Sequence, residues 1–293
     1  MNLSDKLIQY IKHNFILMGR DTAVIGISGG KDSAVVAALL AKALGPENVY
    51  GVMMPNGLQS DIKDSELVIT TLGINGLYSN IGLQYSTCVE KPTKVVYPAA
   101  GNKIEFIQTT PEAAINIPPR LRMEKLYDIA QSLGQYGLHA CVVGTGNQAE
   151  AHVGYCTKWG DMACDINPLR YLWVHEVLQV GDELGYFPEI IRKTPDDGLS
   201  GMADEEKLGF SYDDVYNLVD GNASLVPQEK AEKIKVMHRA AQHKLDPIPS
   251  PTREELGVGF VDPIVEGYVM DNLNTFADGM LESIEILNEH SSF

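Results

Sequence analysis

The stretch from residue 23 to residue 45, AVIGISGGKDSAVVAALLAKALG, constrains the fold more than any other part of the chain. An apolar run with strand character leads into two glycines. The Ala/Leu-rich segment that follows has the composition of a helix and ends at stop signals, Gly45 and Pro46. Strand, turn and helix in this order direct free backbone N–H groups and the positive end of a helix dipole at an anion. The stretch therefore predicts a phosphate-binding turn.

Further strand candidates alternate with helical patterns along the chain. They lie at 49–54, at 139–144 and, with a weaker signal, at 78–83. A helical pattern after the second strand ends at Gly73, and from residue 211 onward the pattern is mostly helical. Alternating strands and helices predict an α/β fold with a parallel sheet.

The composition indicates which kinds of molecule the chain can bind. The 293 residues include 23 Lys plus Arg against 39 Asp plus Glu, and the formal charge of −16 disfavours nucleic acid and acidic membranes and favours small molecules. No apolar run is long enough to span a membrane, and the first 20 residues lack the apolar core of a signal peptide. The cysteines form no CxxC pair, so we expect reduced thiols in the cytoplasm: Cys88, Cys141, Cys156 and Cys164.

Three nucleotide-binding motifs compete for the Gly-rich turn. A P-loop requires Ser or Thr after its lysine, but Asp32 follows Lys31. A dinucleotide fingerprint requires a glycine two residues after Gly26, but Ser28 stands there. The remaining pattern, SGGxDS, resembles the pyrophosphate loop of the N-type ATP pyrophosphatases, whose serines and backbone amides would hold pyrophosphate while Asp32 brings in magnesium. The alternative is a solvated Gly-Gly turn at a helix start.

A second Gly-rich segment, VVGTGNQAEAHVGY at 142–155, matches the dinucleotide fingerprint better and by itself favours a dehydrogenase. That interpretation needs an acidic residue after a second strand, and no strand precedes Asp161 or Asp165. The same segment holds Glu150 in the first turn of a helix. With Asp32 it would supply the two carboxylates that commonly hold magnesium beside phosphate oxygens. An isolated Glu favoured by the helix dipole is the alternative.

Several separated motifs stand together in the order found in one family. From about residue 5 to about residue 249 the chain resembles the ammonia-dependent NAD synthetases, members of the N-type ATP pyrophosphatase superfamily. The motifs are SGGKDS (28–33), PNGLQSD (55–61), NIPPRLRM (116–123), GTGNQAE (144–150), TKWGD with DINPL (157–169), a PDDGL-type loop with DEEKLGF (204–210), and HK (243–244).

This resemblance implies a Rossmann-like fold: a doubly wound, mostly parallel five-stranded sheet flanked by helices, with a helical C-terminal part. It implies one synthetase domain over 1–249, and the amphipathic pattern beyond it predicts a helical extension over 250–293 packed on the domain or on a dimer. The implied reaction is ATP-dependent adenylation of nicotinic acid adenine dinucleotide (deamido-NAD), followed by attack of ammonia to give NAD, AMP and pyrophosphate. The segment before the first strand is too short for a glutaminase domain, so we expect free ammonia or a separate amidase as the nitrogen source.

The resemblance also implies the site residues and the assembly. Asp32 and Glu150 would hold Mg²⁺, and Lys158 would join them in catalysis. Family members are homodimers with the dinucleotide site at the subunit interface, and the same is implied here. The ATP-binding residues would be Gly26, Ile27, Ser28, Gly29, Gly30, Lys31, Asp32, Ser33, Gln59 and Thr145, and the residues that contact deamido-NAD would be Arg120, Lys158, Asp165, His243 and Lys244.

The chain departs from the family pattern at three positions near the expected triphosphate. Met53 and Val174 stand where an arginine and a lysine are common, and Asp196 stands where a hydroxyl residue is common. These changes remove two positive charges and add a negative one. We expect other cations to offset them, from Lys31, Arg170, Lys193 or a second ion.

Two other functions remain open at this stage. One is another ATP pyrophosphatase amidotransferase, such as the synthetase domain that aminates xanthosine monophosphate. The other is a non-catalytic adenine-nucleotide sensor, which the loss of charge at Met53 and Val174 favours.

The charge of Lys31 gives a direct test of the phosphate-binding turn. The variant Lys31→Glu should raise the KM for ATP sharply, because it replaces a positive charge by a negative one, next to that of Asp32, facing the triphosphate. Steady-state kinetics at saturating magnesium measure the effect. An unchanged KM would show that Lys31 does not offset the missing charges.

Overall fold

The first strand, β1 (Thr22–Gly26), lies between two others in a parallel sheet of four strands. The computed structural model of the protein describes residues 1–58, 62–193 and 204–258. The other strands of this sheet are β2 (Val49–Met53), β3 (Asn75–Tyr78) and β6 (Ala140–Val143), in the spatial order β3-β2-β1-β6. A separate antiparallel pair is formed by β4 (Thr93–Lys94) and β5 (Phe106–Ile107).

Helices connect the strands and cover both faces of the sheet. None within the described ranges is long and apolar enough to cross a membrane. They are α1 (Leu3–Leu17), α2 (Lys31–Leu44), α3 (Ile62–Leu72), α4 (Gly82–Glu90), α5 (Pro111–Ile115), α6 (Ile117–Ser132), α7 (Gln148–Val153), α8 (Val174–Leu184), α9 (Pro188–Ile191), α10 (Asp204–Leu208), α11 (Tyr212–Val219) and α12 (Gln228–Leu245).

Alternate residues of β1 enter different cores, as expected for a sheet buried on both faces. Ala23 and Ile25 pack with α1, α2, α8 and α9 in one hydrophobic cluster. Val24 packs on the opposite face with residues of α6. A third cluster joins α7 to α11 and α12, away from the sheet. The predicted α/β class with a doubly covered parallel sheet is therefore confirmed.

Two details of the predicted sheet differ from the structure. The weaker strand predicted over 78–83 is wrong: β3 ends at Tyr78, and α4 begins at Gly82. Ile81 is buried at the start of α4, so its apolar character comes from packing beneath that helix. The predicted count of five strands is not confirmed in the described part of the chain. Ile166 extends the sheet by a single parallel bridge to Val143 before the chain turns.

The C-terminal part is mostly helical, as predicted, through α10, α11 and α12. The chain separates into two units, Met1–Leu245 and Asp246–Phe293. In the described start of the second unit, the backbone N–H of Thr252 donates to the carboxylate of Glu255 at 2.7 Å and forms a local turn. Most of the extension predicted over 250–293 lies outside the described residues.

Gly154 fixes how closely α7 approaches α12. Its φ is +66°, and a methyl group added to it would overlap the Cβ of Ala241 on α12. His152 and His238 stack across the same contact with ring centroids 4.0 Å apart. The absence of a side chain at Gly154 thus permits the close packing of a short helix on a long one.

We expect Gly154→Ala to destabilise the protein more than Gly19→Ala. Both glycines have positive φ, which costs an alanine about 1–2 kcal/mol. No other atom lies within 4 Å of a methyl group at position 19. At position 154 the overlap with Ala241 should add about 1–3 kcal/mol. Urea unfolding of the two variants measures the difference, and equal losses would show that α12 moves aside freely.

Candidate active site

A cavity of about 350 Å³ opens at the carboxyl ends of the parallel strands. This is the edge at which α/β sheets usually bind ligands. The turn between β1 and α2 and the segment after β6 form two of its walls, and α6 contributes a third. The cavity therefore lies where both Gly-rich segments of the sequence meet.

Two hydroxyl groups hold the turn between β1 and α2. Ser33 Oγ donates to the carbonyl of Gly30 at 3.0 Å and lies 3.1 Å from Ser28 Oγ. The N–H of Gly30 donates to Ser28 Oγ at 3.2 Å. Gly29 adopts a φ of +82°, which favours glycine. The serines thus fix the shape of the turn, and the first amides of α2, which have no partner inside the helix, point toward the cavity end.

Asn147 connects this turn to the turn after β6. Its side-chain oxygen accepts hydrogen bonds from the N–H groups of Ala149 and Glu150, and the Glu150 carboxylate accepts one from the Asn147 N–H, which completes a capping box at the start of α7. Its side-chain N–H donates to Asp32 Oδ1 at 3.2 Å. The completely buried Asn147 therefore positions both predicted metal-binding carboxylates at once.

Lys31 forms an ion pair with the neighbouring Asp32. Its Nζ lies 3.0 Å from Asp32 Oδ2, and only 6% of the lysine side chain is exposed. Burial would lower the pKa of Lys31, but attraction by Asp32, Glu150 and Asp204 outweighs it and raises the pKa. The lysine is therefore a buried ammonium that pairs with Asp32 and lies within electrostatic range of two further acidic side chains.

Glu150 lines the same cavity as Asp32. Burial, with repulsion from Asp32 as the second cause, raises the pKa of Glu150 to about 8. A carboxyl group in this environment gains stability when a cation approaches its charged form. Two carboxylates of this kind can hold Mg²⁺ together with phosphate oxygens. No group of three or more His, Cys, Asp or Glu side chains suited to a metal occurs within the described ranges.

Most residues predicted to bind ATP lie together. Ser33 is the exception within the described residues, because it acts from behind the turn through its hydrogen bonds. Gln59 lies outside the described residues. The predicted residues that line the cavity are Gly26, Ile27, Ser28, Gly29, Gly30, Lys31, Asp32 and Thr145, with Glu150 beside them.

Four of the five residues predicted to contact the dinucleotide form a second network outside this cavity. Arg120 Nε donates to the carbonyl of Lys158 at 3.3 Å, and Lys158 Nζ donates to the carbonyl of His243. Lys244 Nζ donates to two backbone carbonyls after α7 at 2.7 Å each. Asp165 lies apart and accepts from the Val142 N–H at 2.7 Å and from the Tyr127 hydroxyl at 3.1 Å.

Three cations line the cavity despite the departures at positions 53 and 174. Two of them, Lys31 and Lys193, were expected, and Lys193 Nζ pairs with Asp64 at 2.8 Å. Arg170 is not among the described lining residues, and Asp196 lies outside the described residues. Sequence reasoning missed the third, Arg122.

The motif NIPPRLRM gave the only signal for Arg122. Residues two apart on a helix do not face the same way, so Arg120 and Arg122 cannot both point into one cavity. The structure resolves the choice: Arg122 lines the cavity, and its Nε donates to the carbonyl of Met54 at 3.0 Å. The motif alone does not indicate which arginine faces the sheet.

Asp204 is a second residue that the sequence did not single out. It is buried at the first position of α10 and lines the cavity, and the Tyr155 hydroxyl donates to it at 3.2 Å. From the sequence, an Asp before two Glu at a helix start indicates only favourable interaction with the helix dipole. Its role in the cavity depends on the packing of α10 against the sheet edge.

Comparisons with known proteins point to one family. A family model described as NAD synthase matches residues 3–248. The NH(3)-dependent NAD(+) synthetase of Alkaliphilus oremlandii is 36% identical over 253 residues, which are 84% of this chain and 95% of that protein. The protein of the same name from Pyrococcus furiosus is 34% identical over 258 residues, 82% of this chain and 90% of that one.

Solved structures are similar over the same region. An NMN synthetase from Francisella tularensis has a TM-score of 0.72 and 30% identity, with 85% of this chain and 97% of that chain covered. An NH3-dependent NAD synthetase from Campylobacter jejuni has a TM-score of 0.66 and 22% identity, with 85% and 96% covered. The second similarity shows the fold alone.

Two substitutions of Asn147 separate its roles as a helix cap and as a partner of Asp32. Asn147→Ser keeps a capping oxygen and loses the bond to Asp32, whereas Asn147→Ala loses both. We expect the alanine variant to lose about 1–2 kcal/mol of stability and the serine variant less. Both should bind ATP on the order of tenfold more weakly in calorimetry. Wild-type ATP affinity in the serine variant would show that the bond does not position Asp32.

Proposed function

The chain belongs to the NAD synthase family and is an AMP-forming C–N ligase, and we propose that the cavity at the carboxyl ends of β1 and β6 is its ATP site. The reaction is amidation of deamido-NAD by ammonia, with ATP cleaved to AMP and pyrophosphate. The observation that carries the site assignment is the meeting of the SGGKDS turn with Glu150 in one cavity. An ATP pyrophosphatase needs a pyrophosphate loop and acidic metal ligands in this relation.

The turn would hold the β- and γ-phosphates of ATP. The amides at the start of α2 and the three cations Lys31, Arg122 and Lys193 supply positive charge around the cavity. The nicotinate carboxylate would attack the α-phosphorus, and the bond to pyrophosphate would break. Ammonia would then attack the acyl carbon, and AMP would leave with the C–O bond electrons. Pyrophosphate held at the turn is thus the first leaving group and AMP the second.

Asp32 and Glu150 fit a magnesium ion in donor type and in electrostatics. Burial and repulsion from Asp32 raise the pKa of Glu150, so a cation bound at this place would favour its charged form. When bound, magnesium supplies neutralising charge to the phosphate oxygens. The two carboxylates provide oxygen ligands, and Asn147 fixes one against the other.

The second substrate would lie along the network of Arg120, Lys158, His243 and Lys244. Arg120, Lys158 and Lys244 bring positive charge to this network, which suits the anionic phosphates of a dinucleotide. Lys158 would face the reacting carboxylate as the catalytic cation. Asp165, which accepts a hydrogen bond from the N–H of Val142 on β6, would bind the same substrate.

We propose a homodimer for the complete site. Exposed apolar residues on the β4–β5 hairpin, among them Tyr97 and Phe106, offer a surface for a second copy. A cytoplasmic location is supported by four cysteines that remain free thiols in the structure. For the domains, we propose a synthetase domain over 1–249 with an extension over 250–293, which agrees with the family match over 3–248.

A second candidate substrate is nicotinic acid mononucleotide. The solved structure with 30% identity and a TM-score of 0.72 is an NMN synthetase, and NMN is the mononucleotide half of NAD. The acyl group, the ATP site and the attack of ammonia would be the same. Only the contacts to the adenylate half of a dinucleotide would be lost, so the relative kcat/KM for the two substrates distinguishes them.

The proposed function is tested with purified protein, ATP, magnesium and ammonium. Deamido-NAD, nicotinic acid mononucleotide and xanthosine monophosphate are compared as acyl or carbonyl substrates, with detection of the amidated product, AMP and pyrophosphate. We expect NAD, AMP and pyrophosphate in equal amounts. Formation of ADP, or nucleotide binding without turnover as in a sensor, would contradict the proposal, and a higher kcat/KM for the mononucleotide would establish the second candidate.

Carboxylate variants test the site in the same assay. Asp32→Asn and Glu150→Gln should each lower kcat by at least about a hundredfold, because the charge that binds magnesium is lost. Asp182→Asn is the matched control, since Asp182 is an exposed partner of Arg192 far along α8. Full activity of either cavity variant would exclude that residue as a metal ligand.

A further inference from the structure

We propose that Lys31 is a resident counter-cation, which occupies the carboxylates in the nucleotide-free protein and makes the divalent metal enter together with ATP. The inference rests on the proposed ATP site and adds an order of binding to it. Lys31 stands at the variable position of the SGGxDS pattern, so the pattern itself does not require a cation there.

Both oxygens of Asp32 have donors in this structure. Lys31 Nζ lies 3.0 Å from Oδ2, and the side-chain N–H of Asn147 donates to Oδ1 at 3.2 Å. A metal ion binds to a carboxylate through its oxygens, and here the ammonium lies beside the oxygen that Asn147 does not contact. A metal ion that takes Oδ2 would therefore compete with the ammonium for this oxygen.

Repulsion between the Lys31 ammonium and the divalent metal ion should weaken metal binding in the nucleotide-free protein. An ammonium and a divalent ion a few ångströms apart in a buried site repel each other, and the low local dielectric strengthens this repulsion. Lys31 is 6% exposed, so solvent does not screen it well. Two protein carboxylates also bind magnesium weakly by themselves, because this ion usually obtains further ligands from substrate phosphates.

ATP would offer Lys31 a new partner. The lysine lines the same cavity as the Gly29 and Gly30 turn, where the phosphate oxygens would lie. Its four-carbon stem allows the ammonium to turn from Asp32 to a phosphate without any change in the backbone. The exchange moves the ammonium to the triphosphate and frees Asp32 for the metal that arrives with it.

Binding of Mn²⁺ to the nucleotide-free protein tests this inference without any turnover. The loss of the free-ion signal in electron paramagnetic resonance measures bound Mn²⁺, with Mg²⁺ as competitor. We expect Lys31→Met to gain one site whose affinity exceeds that of the wild type by on the order of tenfold or more. Lys31→Gln, which keeps a hydrogen-bond donor without the charge, should show the same gain.

Two further variants define the controls. Lys12→Met removes an equal charge from an exposed position of α1 and should leave the binding of Mn²⁺ unchanged. Adding Asp32→Asn to Lys31→Met should abolish the gained site. Circular dichroism establishes that each variant is folded.

Two results would overturn the inference. One is tight one-site binding of Mn²⁺ by the wild type without nucleotide, a measurement that needs no variant. The other is a gained site that survives Asp32→Asn. Because no acyl substrate is present, failure here is distinct from failure of the proposed ligase reaction, which the product assay reports.

Discussion

One hydrogen bond joins the two halves of the cavity, from the side-chain N–H of Asn147 to Asp32. β1 and β6 are neighbours in a parallel sheet, so the turns that follow them open at the same edge. Neighbouring strands alone leave the two turns independent of each other. Asn147 removes that freedom because the same side chain caps α7, which holds Glu150, and reaches across to the start of α2. The relation between the two acidic residues depends on this buried amide.

Much of the fold could be predicted because its signals are local. β1, α2 and the end of α3 follow from apolar runs and from glycines at stops, and Gly45 and Gly73 do adopt positive φ. The cap at Asn147 has the N-x-x-E spacing of a capping box. Asp32 and Glu150 could be predicted because each lies in the first turn of a helix that follows a strand. The site residues that follow Gly-rich turns are thus the ones that the sequence predicts.

The rest depends on contacts between distant segments. The choice between Arg120 and Arg122 depends on how α6 rotates over the sheet, and no short motif encodes that rotation. Asp204 lines the cavity and accepts a hydrogen bond from the hydroxyl of Tyr155, which lies almost fifty residues earlier in the chain. The β4–β5 hairpin was not predicted at all, because each of its strands has only two residues. Tertiary packing decides each of these cases.

The structure shows what the uncharged residues at positions 53 and 174 contact. Met53 packs against the core beneath the sheet, and Val174 packs against the cluster of α11 and α12. Positive charge instead reaches the cavity from α2, α6 and the residue after α9, through Lys31, Arg122 and Lys193. Three cations therefore line the cavity although positions 53 and 174 carry none.

The two carboxylates belong to different hydrophobic clusters. Asp32 starts α2, whose buried residues form the core against the sheet, whereas Glu150 lies on α7, which packs with α11 and α12. A helix of six residues is not stable by itself, so packing against α11 and α12 fixes the orientation of α7. The acidic pair exists only when both clusters have formed. A ligand held by both carboxylates would therefore link the stability of the sheet core to that of the C-terminal helices.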